Sequence, residues 1–143
     1  MMQKFYSVIQ TEFRQFEEEF SAVLTSDNQL LHDALDYLHS KRGKQLRPVL
    51  VLLSAAICKG ITSKSIQTAV ALELMHTASL VHDDVVDNSP TRRGDKAVHE
   101  QWSNKIAILV GDYMLSKAIG LLSSVRNNTI LNIISEMTAA LTS

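Results

Sequence analysis

Apolar positions recur at three- and four-residue steps through almost the whole chain, and no stretch of any length alternates as a half-buried strand does. Phe5, Val8, Ile9, Phe13, Phe16 and Phe20 form the stripe of an amphipathic helix, with Glu12, Glu17 and Glu18 on the opposite face. The acidic run Glu17-Glu18-Glu19 reads as a solvated face. Thr25-Ser26-Asp27-Asn28 breaks the pattern and offers N-caps for a second helix over residues 28–40, which Ser40-Lys41-Arg42-Gly43 ends. A third, strongly apolar helix is predicted after Pro48, a residue suited to a first helical turn, and it stops at Lys59-Gly60. A fourth spans Ser63 to Asp87 and is terminated by Asn88-Ser89-Pro90-Thr91, because proline cannot continue the hydrogen-bond ladder. A loop carrying Arg92, Arg93 and Gly94 leads to a helix over Asn104 to Val125. Asn127-Asn128 breaks that helix, and the pattern turns helical again from Thr129 to Ser143. With five Gly and two Pro in 143 residues, the fold class is all-α and the size is that of one domain. The pattern is still helical at Ser143, which suggests that the chain is cut from something longer.

Bulk composition narrows the function classes. The formal net charge of -1 lacks the basic footprint of a nucleic-acid binder. A single cysteine, Cys58, excludes an internal disulfide and fits a reducing compartment. The N-terminus has no signal-peptide core, and the longest apolar run, Pro48 to Cys58, is too short to span a bilayer. These features predict no transmembrane segment and a cytoplasmic location.

Candidate chemistry concentrates in Asp83-Asp84-Val85-Val86-Asp87 and the Arg92-Arg93 pair just beyond it. Asp83 and Asp87 are four apart and share a helix face, while Asp84 points about a quarter-turn away. Like charges at that spacing cost an isolated helix roughly 0.2–0.5 kcal/mol. Each acid in a last helical turn also gives up about 0.3–1 kcal/mol against the macrodipole. A local rule broken without structural gain marks a functional candidate. A bound Mg²⁺ reverses the sign, since carboxylate oxygens are its preferred protein ligands. The plainer alternative is a surface acidic patch balanced by Arg92 and Arg93.

The arginines offer planar, bidentate donors suited to phosphate. Gly43-Lys44-Gln45-Leu46-Arg47-Pro48 places a second basic cluster at a helix N-terminus, a natural anion site, although it lacks the second glycine and the Lys-Ser/Thr pair of a Walker loop. His76 lies seven residues before Asp83, two turns along the same face, where it can donate to a phosphate oxygen. His82 and His99 read as structural.

These motifs resemble those of the trans-type polyprenyl diphosphate synthases, particularly long-chain, octaprenyl-type members. ALELMHTASLVHDDVVDNSPTRRGDKAVHEQWSNKIAILVGDYMLSKA is similar to the family's central segment, and GKQLRPVLVLL to its upstream basic motif. The likeness covers residues 27–125 and implies that residues 1–143 are the N-terminal part of a single domain, an antiparallel bundle that is incomplete because its C-terminal half is absent. It implies an isoprenoid-synthase bundle around a deep cavity, a homodimer, and condensation of isopentenyl diphosphate with an allylic diphosphate to lengthen an all-trans chain. By motif position, Asp83 and Asp87 resemble the Mg²⁺ ligands, Asp84 supports them, and Arg92 resembles the arginine that holds the allylic diphosphate; these four are the implied catalytic set. Lys44, Arg47, His76 and Arg93 resemble the isopentenyl diphosphate site. Small Ala78 and Ser79, one turn before Asp83, resemble an open floor that permits a medium or long product, with Met75, Leu72 or Ala71 as the next floor. The bland reading is that Ala78 and Ser79 are small only to let helices pack closely.

Two departures qualify the likeness. Arg42 stands where the family usually has a first glycine, and Gln45 where a basic residue is common. The family's second aspartate-rich motif is missing, and no aspartate follows Asp112. The expectation is therefore that this chain alone is inactive. Two other readings remain: a class I terpene cyclase, or a non-catalytic helical subunit whose stripe from Ile106 to Ile119 covers a partner chain.

Overall fold

The structure, a computed structural model, describes residues 6–141, the last by its backbone alone. Phe5, part of the first apolar stripe, lies outside the described residues. In chain order the elements are α1 (Gln10–Val23), α2 (Gln29–Ser40), α3 (Leu46–Cys58), α4 (Ser63–Val86), β1 (Thr91–Arg92), β2 (Asp95–Lys96), α5 (Val98–Gln101), α6 (Asn104–Val125) and α7 (Asn128–Leu141). The all-α expectation holds, and most boundaries have a visible cause. Asn28 caps α2 by accepting from the Leu31 N–H at 3.1 Å. Ser103 caps α6 through the Ile106 N–H at 3.2 Å, and Asn127 caps α7 through Ile130 at 3.1 Å. Thr62 and Ser65 close a reciprocal capping box at the start of α4. Gly60 sits at φ +96° and donates its N–H to the Ala55 carbonyl, so it ends α3 as a left-handed C′ glycine.

The sequence reading needs correction at several points. The helix expected after Pro48 opens earlier, at Leu46, and Pro48 is buried within its first turn. Gln45 precedes it in the left-handed conformation, φ 48°. The segment taken as a plain loop is a hairpin pairing Thr91 with Lys96 and Arg92 with Asp95. Its turn residues Arg93 (φ 54°) and Gly94 (φ 86°) both have positive φ, as a two-residue hairpin turn of the primed type requires. The four-residue helix α5 was not anticipated, and it buries Val98 and His99. Val8, assigned to the first stripe, is 69% exposed, whereas Ile9, Phe16 and Phe20 are buried. Glu17 is not merely solvated: its Oε1 accepts from Arg42 Nη2 at 3.1 Å.

The centre of the fold is the pairing of α4 with α6, the most extensive contact between helices. Small side chains allow it: Ala69, Ala71 and Ala78 on α4 and Ala107 and Ala118 on α6 are fully buried. His82, near the end of α4, lies directly on Gly111, near the start of α6, as an antiparallel pair demands. The ring is held there by the Ile108 carbonyl at 3.2 Å and the Asp112 carboxylate at 3.5 Å, so the structural role expected of His82 is visible. Leu74, Val70, Met114 and Val110 fill the space around the alanines. α6 also meets the length and apolarity of a membrane span, a feature the sequence reading overlooked. Its buried face, with Val110, Met114, Ala118 and Leu122, belongs to the core that α4 shares.

Alanine at a helical glycine ordinarily stabilises a helix by about 1 kcal/mol. At Gly111 an added methyl would overlap the His82 ring, so Gly111→Ala is expected to lower the thermal unfolding midpoint. In a His82→Ala background the same substitution is expected to raise it; equal effects in both backgrounds would refute this packing argument.

Candidate functional site

The site is built where α4 ends. The Asp87 N–H bonds back to the Asp83 carbonyl at 2.8 Å, the last α-helical bond. Asn88 then adopts φ 53°, its N–H reaching Val85 O at 3.3 Å, and the Ser89 N–H reaches Asp84 O at 2.9 Å. This is a Schellman arrangement with asparagine in place of glycine. It turns the chain back along the helix and delivers the hairpin to the side of α4 that carries Asp84.

Asp84 is buried, and Arg92 grips it with two bonds, Nε to Oδ2 at 2.8 Å and Nη2 to Oδ1 at 2.7 Å. This contact raises the Arg92 pKa further above its ordinary value. The guanidinium has five N–H donors and spends two here, leaving the remainder for an incoming anion. Asp84 therefore orients Arg92 and is itself occupied. Asp83 and Asp87 are exposed, and their carboxylates have no hydrogen-bond or ion-pair partner among the described residues. The three acids, alike in sequence, thus divide into one internal anchor and two outward-facing groups.

Arg93, at the hairpin turn, swings to the other side. Its guanidinium lies against the Cα of Gly43, where any side chain would collide with it. That close approach accounts for the glycine ahead of Lys44. Four residues predicted to act together do meet: Lys44, Arg47, His76 and Arg93 line one cleft, with Gln45 and Glu73. An adjoining cleft is bordered by Asp84, Arg92, Arg93 and His76 above an apolar floor that includes Phe20, Leu80 and Met114. Gly43, Glu73, His76 and Arg93 belong to both walls.

Electrostatics follow from burial. His76 is held below its usual pKa chiefly by desolvation, and then by Arg47, Arg93 and Arg92. It is neutral at pH 7 and presents one N–H donor. Glu73 was not singled out in the sequence, although a lone acid within the apolar run Ala71-Leu72-Glu73-Leu74-Met75 is a visible signal. Burial raises its pKa, while Arg47 and Arg93 oppose the rise. Gln45, which stands where the resemblance has a basic residue, is 8% exposed, and its Nε2 has no hydrogen-bond partner among the described residues.

The residues assigned to product length lie elsewhere. Met75 and Ser79 follow Asp83 back along α4 at four-residue steps, both half-buried and bordering neither cleft. The Ser79 hydroxyl donates to the His76 carbonyl at 2.8 Å. Ala78 is fully buried in the helix-packing core, as the bland reading of its size required.

Among the described residues no group of three or more His, Cys, Asp or Glu side chains could hold a metal ion. The chain offers instead the exposed pair Asp83 and Asp87, one turn apart. Mg²⁺ commonly keeps several waters and takes one or two carboxylates plus substrate phosphates. The pair fits a metal that arrives with a diphosphate and does not fit one caged by this chain alone.

Known proteins share this arrangement of helices. A family model described as Polyprenyl synthetase matches residues 28–143. The chain is 37% identical over 131 residues to heptaprenyl diphosphate synthase component 2 of Bacillus subtilis, covering 92% of this chain and 38% of that protein. A decaprenyl diphosphate synthase from Rhodobacter capsulatus superposes with a TM-score of 0.92 at 26% identity, over 99% of this chain and 44% of that one. A polyprenyl synthase from Caulobacter crescentus, solved in complex with calcium and isoprenyl diphosphate, gives a TM-score of 0.89 at 27% identity, over 95% of this chain and 42% of that one. The chain thus spans well under half the length of these relatives.

Glu73 supplies a stability test. Its raised pKa means that the folded chain binds the proton more tightly than the unfolded one. The cost of ionising it on folding is absent below the unfolded value near 4.5 and grows as pH climbs through the folded value. Glu73→Gln is therefore expected to raise the thermal midpoint at pH 7 to 8, with the gain shrinking towards pH 4. A gain independent of pH would contradict it.

Proposed function

Because the chain belongs to the polyprenyl synthetase family, we propose that it forms the diphosphate-binding part of a trans-type polyprenyl diphosphate synthase. The enzyme so formed joins isopentenyl diphosphate to an allylic diphosphate and yields a medium- or long-chain all-trans product. The observation that carries this reading is the pair of clefts with a shared cationic wall, beside two unpaired carboxylates. One anion site is insufficient for a transferase that must hold two diphosphates, and this chain presents two. A terpene cyclase, with one diphosphate substrate, leaves the Lys44 and Arg47 cleft unexplained.

The roles follow from the geometry. Arg92, steadied by Asp84, points its remaining donors at the allylic diphosphate and stabilises charge gathering on the leaving group. Asp83 and Asp87 would hold a divalent cation, Mg²⁺ in this reading, which would supply Lewis-acid stabilisation of the leaving diphosphate. Lys44, Arg47, His76 and Arg93 hold isopentenyl diphosphate. Departure of diphosphate leaves an allylic cation; the isopentenyl double bond attacks it, and a proton is lost to the released diphosphate. The apolar floor keeps water from the cation. Calcium and isoprenyl diphosphate in the Caulobacter relative support this division of labour, as do the long-chain products named for the heptaprenyl and decaprenyl relatives.

Calorimetric titration with an allylic diphosphate analogue tests the proposal. Binding is expected to require Mg²⁺, and Asp83→Asn with Asp87→Asn is expected to remove that requirement together with most of the affinity. Arg92→Ala should weaken binding by about tenfold or more, since a hydrogen bond to a charged group contributes ~1.5–3 kcal/mol. Metal-independent binding that survives both changes would overturn the assignment. With one acidic motif in 143 residues, the chain by itself is expected to bind without turnover; product formed from Mg²⁺ and both diphosphates would show otherwise.

A further inference from the structure

We propose that Tyr37 and Lys41, at the C-terminal end of α2, are positioning residues that set where the hairpin presents Arg92 and Arg93. This inference rests on the reading of those arginines as diphosphate ligands. A ladder of two residues per strand cannot hold its own place, since even isolated full-length hairpins are marginal in water. One side of the hairpin is fixed by the Asp84–Arg92 bridge. The other is fixed from α2. The Tyr37 hydroxyl donates to the Lys96 carbonyl at 2.8 Å, and Lys41 Nζ donates to Asp95 Oδ1 at 2.8 Å. In the ladder, Lys96 faces Thr91 and Asp95 faces Arg92. A shift of the β2 strand is thus passed directly to the strand that ends in the two arginines.

The anchor is itself supported. The Tyr37 ring packs edge-on against Trp102, centroids 5.4 Å apart, and Lys41 Nζ lies 6.0 Å from the Tyr37 ring centroid. Lys41 occupies the C-cap of α2, where the helix dipole favours a cation. The Lys41 and Asp95 side chains are 42% and 41% exposed, so their ion pair adds little to global stability. Its effect is on orientation: it selects one placement of a strand that has few other constraints. Nothing in the sequence motif points to this role, because Tyr37 and Lys41 precede their hairpin partners Lys96 and Asp95 by 59 and 54 residues.

The test is a set of variants titrated with Mg²⁺ and an allylic diphosphate analogue. Tyr37→Phe keeps the ring and removes only the donor. It is expected to raise Kd by about three- to tenfold, the size of one lost hydrogen bond, with the thermal midpoint almost unchanged. Lys41→Ala and Asp95→Ala are expected to weaken binding to the same extent, the double variant no further, and the exchange Lys41→Asp with Asp95→Lys to restore it. If Asp95→Ala instead strengthens binding, Lys41 is a direct phosphate ligand and the positioning role is wrong. Unaltered Kd in all these variants, while Arg92→Ala weakens binding by about tenfold or more, overturns the positioning role and leaves the functional reading standing. Absence of binding by the parent chain overturns both.

Discussion

The bridge from buried Asp84 to partly exposed Arg92 is the contact on which the arrangement of the site depends. An ionised carboxylate taken out of water is tolerable only with a partner. Burial of Asp84 therefore obliges the arginine eight residues on to return to α4. The left-handed Asn88 and the positive-φ turn at Arg93 and Gly94 are the local means of that return. Once Arg92 is fixed, Arg93 is carried to the opposite side of the turn and onto Gly43. The two basic clusters, far apart in sequence, are brought together by one acid beneath them.

Helices and their ends were legible because their causes are local. Asn28, Gly60 and the Asn88-Ser89-Pro90 stop all act through backbone groups within a few residues, and periodicity located the stripe that buries Phe16 and Phe20. The basic and acidic clusters were equally visible, since residue type and spacing carry that information. What could not be read was which way each member faces. Helical spacing pairs Asp83 with Asp87 and sets Asp84 apart, but it cannot say which of the two faces turns inward. That depends on the hairpin, whose primed turn was signalled only by Arg93-Gly94. Glu73 was missed for a related reason: its significance comes from Arg47 and Arg93, which tertiary structure alone brings near. Val8 shows the opposite error, an apolar residue at a stripe position that remains exposed.

Membership of the polyprenyl synthetase family fits this account of the fold, because the Rhodobacter and Caulobacter structures are longer and superpose on nearly the whole of this chain. The long α6, apolar enough to be mistaken for a membrane span, is the packing partner of α4. Its alanines and Gly111 let α4 approach closely, which fixes the axis that ends in Asp83, Asp84 and Asp87.

The wall common to both clefts has a thermodynamic consequence. Arg93 is a single guanidinium that faces two compartments, with His76 and Glu73 beside it. An anion that draws Arg93 into one compartment withdraws positive potential from the other. Occupancies of the two are thus linked, and the linkage is reciprocal: whatever factor the first occupant imposes on the second, the second imposes on the first. A cooperativity of this kind needs no hinge and no second subunit, only one shared side chain resting on a residue without a side chain of its own.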